Sequence, residues 1–173
     1  MKKVIIQILI SFLNIYSHAQ TNVTDSMKQL LQKEKTDTGR ILLLAELSFQ
    51  LHESKPDTAL LLALEAIALS KRIGFKKGEA ASLNRIGNAF SVLGNDPKAM
   101  ECFLQALKIN EKINNIDGVA RNLGNIGNIY REQGDYRKAL EYTFRSKDLA
   151  EKDNESRFGI LQITSGNAMK SLK

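Results

Sequence analysis

Apolar residues recur with a helical period through most of this chain. Leu83, Ile86, Gly87 and Phe90 fall on one helix face, and Leu123, Ile126, Gly127 and Tyr130 repeat that face forty residues later. Gly94-Asn-Asp-Pro97 and Gly134-Asp-Tyr interrupt the two runs. Glycine ends a helix, Asn95 or Asp135 can cap the next one, and Pro97 suits a first turn. A second apolar stripe then follows: Ala99, Phe103, Ala106 and Leu107, and after it Ala139, Leu140 and Phe144. Each unit reads as helix, tight turn, helix.

Residues 78–117 align with 118–157 without a gap, and about a third of the positions are identical. The pairs include Gly78/Gly118, Leu83/Leu123, Ile86/Ile126, Gly87/Gly127, Asn88/Asn128 and Ala99/Ala139. A fixed period of this length predicts a solenoid of stacked helix pairs, which offers an extended binding surface and not a catalytic cleft. Gly87 and Gly127 sit in mid-helix, where glycine costs about 1 kcal/mol relative to alanine. That cost predicts close approach of a neighbouring helix. Residues 38–77 read as a degenerate first repeat: Lys55-Pro-Asp-Thr-Ala-Leu places Ala59 forty before Ala99, but Leu47 stands where the glycine should be. Gly166-Asn167 opens a further copy, so 158–173 reads as the first helix of an incomplete repeat. Its Ile160, Ile163 and Leu172 would lack a covering helix, which predicts fraying or self-association.

The first residues have a different character. Met1-Lys-Lys, an apolar run from Val4 to Tyr16, and Ser17-His-Ala19 before Gln20 outline a signal peptide over 1–19. A buried N-terminal helix and an uncleaved anchor are the alternatives. The resulting expectation is an exported, periplasmic protein with no membrane span beyond the signal peptide. Residues 20–37 read as a capping helix and linker, with Met27, Leu30 and Leu31 on its apolar face. The net charge of +6 changes little, because Lys and Arg are interleaved with Glu and Asp. A nucleic-acid surface would need clustered cations and stacking aromatics, so no nucleic acid is expected. Cys102 is the only cysteine, which excludes an internal disulfide.

Catalytic constellations are missing. Once 1–19 is removed, His52 is the last histidine, and no histidine and cysteine cluster can ligate zinc. No Gly-rich run ends in Gly-Lys-Ser/Thr, so there is no phosphate-binding loop. The expectation is a non-enzyme with no cofactor and no metal.

The motif positions Leu83, Ile86-Gly87, Phe90, Ala99, Phe103 and Ala106 resemble the tetratricopeptide repeat. In the next unit they are Leu123, Ile126-Gly127, Tyr130, Ala139, Thr143 and Ser146, and the departure at Thr143 assigns the aromatic packing to Phe144. The usual terminal proline is replaced by Glu111 and Glu151, and the forty-residue period resembles an extended variety of a repeat of about thirty-four residues. The resemblance implies an all-α, right-handed α-solenoid of antiparallel helix pairs. It also implies that the first helices line a concave groove holding a protein or peptide partner. Asn88, Asn128 and Asn167 each follow a motif glycine and would form a ladder along that groove. In peptide-binding members such an asparagine contacts peptide backbone, and an amide that both donates and accepts suits that task. Helical spacing adds Asn84, Arg85, Arg121 and Arg131 to the same surface, where cations could pair with a ligand carboxylate.

Together with Asp25-Ser-Met-Lys-Gln-Leu-Leu, signal and repeats also resemble the exported N-terminal sensory region of signalling proteins, chiefly from Bacteroidetes. In that family a membrane helix and a histidine kinase, cyclase or DNA-binding output follow. This resemblance implies an alternative: a truncated front end of a membrane-bound sensor.

Overall fold

A computed structural model of the chain describes residues 24–153, which form seven helices and, among the described residues, no strand. The signal peptide read over 1–19, the start of the cap and the incomplete repeat with Ile160, Ile163, Gly166, Asn167 and Leu172 lie outside these residues. The elements are α1 (24–33), α2 (Asp37–Leu51), α3 (Pro56–Arg72), α4 (Lys76–Val92), α5 (Asp96–Lys112), α6 (Ile116–Glu132) and α7 (Tyr136–Asp153).

The turns explain the regularity. Helices α3 to α6 each have 17 residues. Each ends at a left-handed residue: Gly74 (φ 71°), Gly94 (φ 73°), Asn114 (φ 53°) or Gly134 (φ 80°). The next N–H then reaches back five residues: Phe75 to Ser70 (2.9 Å), Asn95 to Phe90 (2.8 Å), Asn115 to Asn110 (2.9 Å) and Asp135 to Tyr130 (2.9 Å). This pattern satisfies carbonyls that the helix end leaves open. The following helix starts at once. Asn95 Oδ1 accepts from Lys98 N–H at 3.3 Å, and Asp135 Oδ1 accepts from Lys138 N–H at 3.1 Å. Upstream, Thr36 caps α2 by accepting from Gly39 N–H at 3.0 Å. A three-residue link forces each helix from α4 to α7 to run back along its predecessor.

Packing follows the chain order. Each helix from α2 to α7 lies against the next, α2 also touches α4, and α4 touches α6. Helices α2, α4 and α6 therefore form one face of the stack, and α3, α5 and α7 the other. The core is continuous between them. Ala63, Ile67, Leu83, Ile86 and Ala106 form one cluster, and Ala99, Phe103, Ile126 and Ile129 form the next. Met27 of α1 packs on Leu47, Leu51 and Ala59 at the first end of the stack. Leu31 is half-buried and Leu30 exposed, so the covering face of α1 is narrower than its sequence suggests.

The mid-helix glycines have distinct partners. A methyl group on Gly87 would lie 2.5 Å from Phe103, which is 2% exposed. One period earlier, Leu47 and Ala63 occupy the register of Gly87 and Phe103. The bulk has moved from the second helix to the first, and both Leu47 and Ala63 are buried. One period later, Gly127 faces Thr143. The expected substitution by Phe144 is overturned: Phe144 is 51% exposed. It lies one residue, about 100° of helix, beyond the inward Thr143. Tyr142 supplies the aromatic instead, stacked on Tyr130 with centroids 5.5 Å apart.

Candidate groove on the face of the first helices

Two hollows open on the face built by α2, α4 and α6. The first, about 270 Å³, is lined by Glu46 of α2, Lys77, Asn84 and Arg85 of α4, Asn110 of α5, and Asp117, Arg121 and Asn122 of α6. The second, about 310 Å³, is lined by Phe49 of α2 and His52 at its end, Asn88 of α4, and Asn125 and Asn128 of α6.

Polar groups in the first hollow are unusually deep. Asn84 is 3% exposed, yet neither atom of its amide has a hydrogen-bond partner. Asn122 is 1% exposed; its Oδ1 accepts from Asn110 Nδ2 at 2.8 Å, and its own Nδ2 is unpartnered. Asn115 Nδ2 in turn donates to Asn110 Oδ1 at 2.7 Å. Room for this chain comes from Gly118, where a methyl group would collide with the Asn110 amide. Buried amides normally carry partners, because an unpaired one costs about 1–3 kcal/mol. The hollow therefore presents hydrogen-bonding capacity that the protein itself does not use.

Arg85 adds charge. Its guanidinium lies 4.3 Å above the Phe49 ring, a cation–π contact. Burial first, then the Arg121 charge, lower its pKa to about 10 against the opposing pull of Glu46. It remains a cation at neutral pH, and its Nε is buried without a partner. In the second hollow Asn125 Nδ2 donates to Asn88 Oδ1 at 3.2 Å, linking α6 to α4. His52 stacks on Phe49 with centroids 5.1 Å apart.

The structure thus divides the expected groove residues. Asn84, Arg85 and Arg121 share the first hollow, and Asn88 and Asn128 share the second. Arg131 lines neither; its guanidinium is half-buried and pairs with Glu132 at 3.5 Å. Asn167 lies outside the described residues. Sequence reasoning missed Asn110, Asn122, Asn125 and Phe49. Asn110 and Asn122 replace Ser70 and Ser82 of the preceding unit, a change at two positions forty residues on that signals a local departure from the repeat.

Other chemistry-bearing groups lie elsewhere. Cys102 is half-buried on α5, and burial raises the pKa of its thiol, which disfavours the thiolate. Among the described residues no helix is long and apolar enough to cross a membrane.

Residues 78–152 match the family model of the tetratricopeptide repeat. No curated protein matches the chain by sequence. Among solved structures, the chain is similar to BtubC (BKLC) from P. vanneervenii, at 15% identity and a TM-score of 0.69, covering 91% of this chain and 68% of that one. It is similar to RapI in its apo form at 19% identity and a TM-score of 0.68, covering 94% of this chain and 65% of that one. The tetratricopeptide-repeat domain of Arabidopsis FLU aligns at 18% identity and a TM-score of 0.60, covering 68% of this chain and 100% of that domain. At these identities the likeness concerns fold alone. Residues 78–152 thus match the tetratricopeptide-repeat model, and the chain folds as an all-α solenoid like these neighbours.

Proposed function

We propose that this chain is an exported, non-catalytic module that binds an extended peptide or protein segment along α2, α4 and α6. The observation that carries this reading is the pair of adjoining hollows. They align along one face, and both are lined by asparagine amides, to which the first adds the cations Arg85 and Arg121. An extended segment has alternating backbone donors and acceptors, which amides can match in either sense. The repeat type fits, since such domains present helix faces to proteins or peptides.

The test is selection of peptides on the full chain from a random display library, followed by titration calorimetry. Asn88→Ala combined with Asn128→Ala removes one amide from each of two successive units. Loss of two hydrogen bonds, at about 1 kcal/mol each, should weaken binding roughly 10-fold or more. Unchanged affinity in the double variant would refute the groove reading. Export rests on the basic start and apolar run of 1–19. It predicts a mature protein in the envelope fraction that begins at Gln20, and an intact Met1 in the cytosolic fraction would refute it. The sensory-region reading rests on the resemblance of Asp25-Ser-Met-Lys-Gln-Leu-Leu and the repeats, and the downstream genomic frame tests it.

A further inference from the structure

We infer that the hollow bounded by Glu46, Asn84, Arg85, Arg121 and Asn122 is a specificity subsite for a carboxamide side chain, a glutamine or asparagine of the bound segment. This rests on the peptide-binding reading of the groove and assigns that groove a chemical preference.

The fold does not require these amides. One period before Asn84 the same register holds Leu44, fully buried, and one period after it holds Gly124. Asn110 and Asn122 likewise replace Ser70 and Ser82. Those serines satisfy themselves within their own helices: Ser70 donates to Ala66 O at 2.7 Å, and Ser82 donates to Gly78 O at 2.8 Å. The ordinary solution at this junction is a leucine and two self-satisfied serines. Three buried amides instead, two with unpaired atoms, form a built polar site.

The inventory of unpaired atoms selects the ligand. Asn84 offers one acceptor, Oδ1, and one NH2 donor. Asn122 Nδ2 and Arg85 Nε add donors. A matching head group must therefore present an acceptor and a donor side by side. A carboxamide does so. It pairs head to tail with Asn84 through two N–H···O bonds, and its oxygen keeps a lone pair for Asn122 Nδ2. Exchanging the oxygen and nitrogen of Asn84 preserves the match, because the pair is self-complementary. A carboxylate is attracted by Lys77, Arg85 and Arg121 and opposed by Glu46 and Asp117 in the same hollow, but it has no donor for Asn84 Oδ1. An ammonium has no acceptor and meets Arg85 and Arg121. An aliphatic head leaves every amide unpaired.

The test uses full-length protein labelled with 15N and two probes, N-acetylglutamine methylamide and its glutamate counterpart. The side-chain NH2 signals of Asn84 and Asn122 should shift saturably with the glutamine probe. The glutamate probe should bind at least about 5-fold more weakly, as expected where a site is built to hydrogen-bond a specific group. Asn84→Leu, the residue that position 44 already carries, should abolish the glutamine response; Asn122→Ser, the residue at position 82, should weaken it. Silence of both signals, or equal response to both probes, overturns the assignment. The display library separates this from the groove reading. Selected peptides lacking Gln and Asn that bind Asn84→Leu at wild-type strength overturn the subsite and leave the groove standing. Peptides insensitive to the Asn88→Ala/Asn128→Ala pair overturn the groove itself.

Discussion

At the scale of single residues, the glycines show how one motif position does two different jobs. A methyl group on Gly87 would press on the Phe103 ring at 2.5 Å, and Phe103 is locked in the core. A methyl group on Gly127 would meet Thr143 Oγ1 at 3.1 Å and Ala139 O at 3.2 Å, which asks for a few tenths of an ångström. Alanine gains about 1 kcal/mol of helix propensity at either site. Overpacking costs about 1–3 kcal/mol where neighbours cannot give way. Gly87→Ala should therefore lose up to about 2 kcal/mol net, while Gly127→Ala, whose neighbours need give only slightly, should be neutral or slightly stabilised. Urea unfolding of both variants measures the difference, and equal midpoints would remove the argument. The two glycines look identical in sequence; only the partner on the second helix, Phe103 or Thr143, separates them.

At the scale of elements, the working unit is a helix of 17 residues and a three-residue turn, half the repeat seen in sequence. Gly94 and Gly134 are legible turns because Asn95 or Asp135 follows as a cap. Gly74 is followed by Phe75, which caps nothing, and Asn114 takes a left-handed conformation without being glycine. Their turns were accordingly invisible to pattern reading, although the hydrogen bonds are the same. The site divides in the same way. Asn88 and Asn128 were legible because they recur in register. Asn110 and Asn122 were not, because they depart from the repeat, and alignment of the copies treats a departure as noise. The cap on α7 carries a pH prediction. The Lys138 backbone N–H, then its side chain, hold the Asp135 carboxyl below its ordinary value of 3.8. A carboxyl with a depressed folded pKa contributes at neutral pH and loses that contribution as pH falls through the folded value. Asn95 does the same capping without a charge. Asp135→Asn should thus show a flatter fall in Tm between about pH 5 and pH 3 than the wild type. Parallel curves would mean that the cap does not titrate with folding.

At the scale of the whole molecule, stability is a sum of unit terms and nearest-neighbour junction terms. The two junctions between successive pairs differ in kind. Between α3 and α4 the serines 70 and 82 bond to their own helices, and Ile41 and Phe75 pack against Gly78. Between α5 and α6, Asn110 and Asn122 bond to each other across the junction, with Gly118 making room. The second junction is therefore the one whose strength depends on a matched pair. Asn110→Ser leaves Asn122 Oδ1 without its donor, and Asn122→Ser leaves Asn110 Nδ2 without its acceptor. Each should cost about 1–3 kcal/mol, the penalty of an orphaned buried amide. Together they recreate the serine pair of the first junction, so the double variant should lose clearly less than the sum, with a coupling of about 1 kcal/mol or more. Amide hydrogen exchange locates the effect. In either single variant α6 and α7 should lose protection while α3 and α4 keep theirs, because a weakened junction lets the last pair open by itself. The double variant should restore uniform protection. Additive losses in the cycle, or protection falling evenly along the stack, would show that this junction is not governed by the asparagine pair.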